Sequence, residues 1–174
     1  MPALIRKVLA YITWGDKPLT PHSAAGEMNQ AALGVGSHRA NLLVFSHPDF
    51  PEAGIQVPAG TIEPGEEPEA AVLREAFEET GLSGLKLVAP LGEQLRDVTP
   101  FGKDELHHRY FFHLRCEGTP PRTWRHWEEF PSDGSERVAF DFFWAQLPDG
   151  VPPLIAGHDA HLPALLRSMG LPSA

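Results

Sequence analysis

The sequence predicts an α+β layered sandwich, on three observations. Short runs rich in β-branched and aromatic residues recur between proline- and glycine-marked turns, as strands do. Two stretches, one central and one near the end, have the length and boundary residues of helices. Hydrophobic residues make up 42% of the chain, ordinary for a globular protein and enough to build a core.

The elements follow in order. Ile5 to Trp14, with Val8, Tyr11, Ile12, Thr13 and Trp14, suits a strand. Leu42 to Phe45 reads as a second. Between them, residues 16–40 hold two prolines, three glycines and little periodicity. A structureless stretch of that length inside a compact domain is either a lid over a site or a tolerated hairpin insertion. Ile55 to Val57 is a short strand before Pro58, Ala59 and Gly60. A helix is expected over Pro68 to Thr80, with Pro68 in its first turn and Gly81 just past its end. Leu85 to Val88, the alternating His108 to Leu114 and Val138 to Trp144 read as strands, and Ala160 to Met169 as a final helix. Pro120, Pro121 and Ser132 to Ser135 mark loops. No internal repeat is present, and 174 residues are expected to form one domain, residues 1–174, with 16–40 as its insertion.

Charge narrows the function. Fourteen basic residues face 23 acidic ones, a formal net charge of −9. That balance argues against holding a nucleic-acid polymer, which needs clustered Lys and Arg to replace phosphate counterions. An acidic protein still accepts an anionic small molecule if a metal ion sits between them. Cys116 is the single cysteine, so neither an internal disulfide nor a cysteine-based zinc site is available. The apolar stretch from Met1 to Ala10 is too short and interrupted for a signal peptide or membrane span, which leads to the expectation of a soluble, cytoplasmic protein without membrane partners.

The chemistry concentrates in Gly60 to Leu82, which includes Glu66, Arg74, Glu75, Glu78, Glu79 and Gly81. At roughly 100° per residue, Glu75, Glu78 and Glu79 fall in one sector of a helix, with Val72, Leu73, Ala76, Phe77 and Thr80 mainly opposite. Like charges at such spacing repel by a few tenths of a kcal/mol per exposed pair. A hard divalent cation among them reverses the sign, and oxygen-only donors suit Mg²⁺ or Mn²⁺. A solvated acidic helix face accounts for the spacing equally well.

The whole segment resembles the Nudix box, the signature of the Nudix hydrolases. Its fixed positions are a glycine, a glutamate, an Arg-Glu pair, a Glu-Glu pair and a glycine before a bulky aliphatic residue. They are met by Gly60, Glu66, Arg74, Glu75, Glu78, Glu79, Gly81 and Leu82, and only Ala76 is smaller than usual. The resemblance implies an α/β/α sandwich with a mixed β-sheet. It also implies metal-dependent cleavage of a diphosphate linkage in a nucleoside di- or triphosphate, or in a nucleoside diphosphate joined to another group. Glu78 and Glu79 would be principal metal ligands, Glu75 a further ligand or a base, Glu66 and the Gly60 carbonyl further ligands, and Arg74 the group that orients the glutamates. Mg²⁺ or Mn²⁺ is the implied cofactor, and a homodimer the family habit.

Outside the box, Glu128 and Glu129 are candidates for a downstream base, with Glu129 preferred, and Asp104 and Glu105 are rivals. Trp124 and Trp127 are candidates to stack on a base, with Trp14, Phe101 and Tyr110 as alternatives. Arg109, Arg96 and Lys103 are candidates for substrate phosphates; Trp127 and Arg109 are retained as substrate-binding candidates. A Nudix-fold sensor that binds a nucleotide without cleaving it is the alternative function, disfavoured by the intact box. An isoprenoid-diphosphate isomerase would need a catalytic cysteine, and Cys116, late in a strand, is poorly placed for that.

Overall fold

The computed structural model describes residues 1–15, 40–128 and 137–172. Its centre is β1 (Ala3–Trp14), whose second half is buried from Val8 to Thr13. The strand pairs in parallel along its length with β5 (Glu105–Cys116), from Ala3 opposite Glu105 to Thr13 opposite Arg115. On its other edge β1 changes partner. Lys7 to Leu9 pair antiparallel with β3 (Ala59–Thr61), and only Thr13 and Trp14 pair with β2 (Asn41–Ser46). With β4 (Leu85–Asp97), β6 (Thr123–Glu128) and β7 (Val138–Gln146), the sheet runs β4-β5-β1-β2-β7-β6, with β3 attached to β1. One parallel pairing among antiparallel ones makes it a mixed sheet.

Both faces of β1 are covered, and its alternation separates two cores. Val8, Ala10 and Ile12 join Phe112, Leu114, Phe142 and the buried side of α1 (Pro68–Thr80). Leu9 and Tyr11 join Phe111, Leu147 and the apolar side of α2 (Leu162–Ser168). Helix, sheet and helix are thus stacked as an α/β/α sandwich, as the resemblance implies.

Several element bounds differ from the sequence reading. The strand expected over Leu85 to Val88 runs on to Asp97, with irregular register between Leu87 and Ala89 and between Pro90 and Gly92. A proline is tolerated there because β4 lies at the sheet edge and the irregularity removes the need for its missing N–H. Ile55 to Val57 makes only isolated bridges, and the strand lies just beyond, at Ala59–Thr61. Thr123 to Glu128, where no strand is expected above, form strand β6, and the final helix is shorter than expected. Residues 16–39 of the expected insertion lie outside the described residues. No described helix is long and apolar enough to cross a membrane.

Two buried imidazoles couple this packing to pH. His158 is 6% exposed, its Nδ1 accepts the Val57 N–H at 3.2 Å, and Tyr11 Oη donates to its carbonyl at 2.6 Å. Burial, and then the nearby Arg109 charge, hold the ring at about 4 instead of 6.5. His113, bonded to Thr13 Oγ1 at 2.8 Å, is likewise held at about 4 by burial and by Arg115. Between pH 6.5 and 4 the unfolded chain binds protons that the native rings refuse, so stability is full above pH 6.5 and falls as the pH drops towards 4. At 1.36 kcal/mol per pKa unit, each ring contributes about 3 kcal/mol to that loss. Urea unfolding across pH 7.5 to 4 should show the decline, and His113→Gln should flatten it.

Candidate active site

Helix α1 opens with Pro68 at a position whose N–H would be unpaired in any case, and closes at Gly81. Gly81 has φ +68°, which an L side chain rarely adopts, and its N–H caps the Phe77 carbonyl at 2.8 Å. A Cβ there would also press on the His126 ring. Strand β6 finishes the helix: Trp124 Nε1 donates to the Thr80 carbonyl at 2.9 Å, and His126 Nε2 lies 2.9 Å from the Glu78 carbonyl. The last-turn carbonyls are thereby satisfied by two side chains that sequence periodicity did not connect to the helix.

The helical-wheel expectation of an acidic face opposite an apolar one is corrected here. Glu75 and Glu79, 8% and 7% exposed, lie on the buried side with Ala71, Val72, Ala76 and Thr80, whereas Phe77 and Glu78 face solvent. The cause is β3. Its peptide groups beside α1 offer hydrogen bonds that carboxylates accept and apolar side chains cannot. Glu79 Oε2 accepts the Ala59 N–H at 3.0 Å and Glu75 Oε1 accepts the Thr61 N–H at 2.9 Å. The two glutamates therefore straddle Gly60. A Cβ on Gly60 would overlap the Glu75 carboxylate. The close approach explains a glycine at this position without any need for special φ.

Arg74 gathers the remaining acids. Its Nε and Nη2 hold both Glu66 oxygens at 2.9 and 2.8 Å, Nη1 lies 3.0 Å from Glu75 and 3.1 Å from Glu78, and Nη2 also donates to the Thr61 carbonyl at 3.0 Å. Hydrogen bonds from Arg74, and then from the Glu63 N–H, lower the Glu66 carboxyl to about 2. Burial pushes the Glu75 carboxyl up, against the pull of Arg74. The guanidinium thus brings Glu66, Glu75 and Glu78 to one point and ties them to β3.

These donors fit a hard divalent cation by their chemistry. All are oxygens, two carboxylates flank a glycine peptide that the Glu75 carboxylate approaches closely, and burial disfavours the charged form of Glu75 even beside Arg74. The carboxylates are engaged by Arg74, Ala59 and Thr61, and no three acidic, His or Cys groups among the described residues already converge as a shell.

Beside Gly60, on the α2 side of the sheet, lies a cavity of about 170 Å³ lined by Lys7, Gln56, His107, Arg109 and His158. Arg109 is 7% exposed, so the expected substrate-binding candidate is an interior group and not a solvated one. The sequence reading did not select Lys7, Gln56 or His158. The parallel register sets Lys7 opposite Arg109, and a bridge to Phe45 and a bond to the Val57 N–H place Gln56 and His158.

The other candidates lie elsewhere. Trp127 sits on the edge strand β6 beneath Arg137, whose Cζ is 5.0 Å from the ring centre, and does not line this cavity. Trp124 stacks on Phe142 in the α1-side core, with ring centroids 5.0 Å apart. Glu105 lies in β5 and bonds His107 Nε2 at 2.8 Å. Arg96 packs over Phe101. Glu128 ends β6 opposite Val138, and Glu129 lies outside the described residues.

Comparisons with known proteins find relatives of the chain and of its fold. Diphosphoinositol polyphosphate phosphohydrolase 3-alpha of Mus musculus is 32% identical over 120 residues, 69% of this chain and 63% of the mouse protein. The 3-beta protein of Mus musculus gives the same figures. The chain thus spans less than two thirds of the length of these relatives. Among solved structures, a possible asymmetric diadenosine tetraphosphate hydrolase from Jonesia denitrificans superposes with a TM-score of 0.60 at 13% identity, covering 100% of this chain and 99% of that one. A MutT NUDIX hydrolase from Burkholderia pseudomallei gives 0.51 at 22% identity, covering 93% and 95%. At these identities the structural likeness is one of fold. The NUDIX domain model itself matches residues 29–160, which include the whole Gly60 to Leu82 segment. With that match and the glutamates of the segment gathered against β3, the chain belongs to the NUDIX domain family.

Proposed function

We propose that the chain is a divalent-metal-dependent hydrolase that cleaves a diphosphate linkage in a small nucleotide-like substrate. The observation that carries this reading is the pair of buried carboxylates, Glu75 and Glu79, held on either side of Gly60 by β3 peptide groups. Two desolvated acids at one point cost stability unless their charge is used. Mg²⁺ or Mn²⁺, held by Glu75, Glu78, Glu79, Glu66 and the Gly60 carbonyl, would supply charge neutralisation at the phosphates and a more acidic water. Arg74 holds the acids in place. Glu75, whose proton affinity is raised by burial, is suited to accept the proton of the attacking water. The rest of the catalysis is positioning.

The test is a substrate panel of nucleoside di- and triphosphates, ADP-ribose, sugar nucleotides, dinucleoside polyphosphates and coenzyme A, with Mg²⁺ or Mn²⁺ and product chromatography. Cleavage at a diphosphate that stops with EDTA supports the reading. Tight nucleotide binding with no turnover on any substrate would replace it with a sensor.

A further inference from the structure

We propose that the cavity beside Gly60 binds a polyphosphoryl anion, so that the preferred substrates carry phosphate groups beyond the diphosphate that is cut. The inference rests on the hydrolase reading for the position of the cut, and on the cavity for the rest.

The cavity is built for an anion. Lys7 of β1 and Arg109 of β5 are register neighbours, and both line it. One row along, Arg96 of β4 stands opposite His107 of β5, and the Arg96 guanidinium reaches the turn at Gly157. Arg109 is 93% buried, yet among the described residues no carboxylate lies within ion-pair distance of Arg109, Arg96 or Lys7. The Arg109 Nη1 donates to the Ala156 carbonyl at 2.7 Å. Lys7 Nζ donates to Thr61 Oγ1 at 2.7 Å, which places its charge one residue from Gly60.

Burying a cation against neutral partners is costly and is found where an anion repays it. Burial, and then Arg96, lower the Arg109 pKa to about 10, and burial also lowers that of Lys7. For Arg109 no carboxylate opposes the shift, whereas Glu75, Glu105 and Glu79 partly support the Lys7 charge. Size agrees: about 170 Å³ is small beside the roughly 300–1,000 Å³ of pockets that enclose drug-sized ligands, and suits phosphoryl groups better than a nucleoside. The Ala156 carbonyl accepts from one guanidinium nitrogen, Nη1. It belongs to a turn in which Ala156 has φ +58°, an uncommon conformation for a residue with a Cβ.

The test is thermal unfolding of the full chain in EDTA with inorganic tripolyphosphate, against sodium sulfate at equal ionic strength. The wild type should gain about 5 °C or more at saturation, and sulfate should not reproduce the gain. Lys7→Met and Arg109→Met should each lose most of it; Lys7→Met keeps the test valid if the Arg109 variant folds poorly. Glu79→Gln should keep it. Adenosine tetraphosphate and inositol hexakisphosphate, tried in the same assay, distinguish a nucleotide tail from a cyclitol phosphate as the source of the anion. In turnover, Lys7→Met should lower the preference for diadenosine tetraphosphate over ADP-ribose at least tenfold in kcat/KM ratio. Equal tripolyphosphate stabilisation of wild type and both Met variants overturns the anion site and leaves the hydrolase reading intact. No turnover of any substrate by the wild type, with tripolyphosphate stabilisation intact, overturns the hydrolase reading and leaves the anion site standing.

Discussion

Glu79→Gln should lower kcat/KM on the order of a thousandfold while leaving the fold as stable as before. Several kcal/mol of charge stabilisation at the reacting phosphates depends on the anionic ligand, and each 1.36 kcal/mol is tenfold in rate. The glutamine keeps the shape and one carbonyl oxygen, so the Ala59 N–H retains an acceptor. It also removes one of the charges crowded on α1, so the thermal midpoint should hold or rise. Steady-state kinetics and thermal unfolding read the two effects separately. Activity near the wild-type level would remove Glu79 from the site, and a large loss of stability would make its role structural.

Gly60→Ala should be damaging for a steric reason. The glycine has no positive φ to protect, so its cost lies in the new Cβ, which would overlap the Glu75 carboxylate. Either Glu75 leaves the Thr61 N–H or β3 moves away from β1. Overpacking of this kind costs about 1–3 kcal/mol. Displacing a carboxylate from the reacting centre should cost about a hundredfold in turnover. A double-mutant cycle with Glu75→Ala isolates the clash: the two changes together should destabilise by at least about 1 kcal/mol less than the sum of the singles. Additive effects would mean that the two residues do not meet.

The fold was legible where the chain carries local signals. Pro68 and Gly81 bracket α1 at the residues where it starts and stops, and the period-two pattern from His108 to Leu114 lies within β5. The box was legible because its residues are close in sequence. What escaped depended on long-range pairing. A helical wheel treats carboxylates as solvent-seeking, and nothing local reveals that β3 offers Glu75 and Glu79 buried N–H partners. The Lys7–Arg109 neighbourhood requires β1 and β5 to be parallel and in register, although they lie about a hundred residues apart in sequence. Strand β6 is not expected from the sequence, because its alternation of Trp, Arg and His contains no aliphatic residue. Its Trp124 and His126 are nevertheless fixed by the carbonyls at the end of α1.

The most direct test of the central claim, that the α1 glutamates against β3 form a divalent-cation site, is Mn²⁺ binding by the purified protein, followed by electron paramagnetic resonance without substrate. The account predicts saturable binding by the wild type, with affinity reduced at least tenfold in Glu75→Gln and in Glu79→Gln, and competition by Mg²⁺. Equal Mn²⁺ affinity in the wild type and both variants would contradict it.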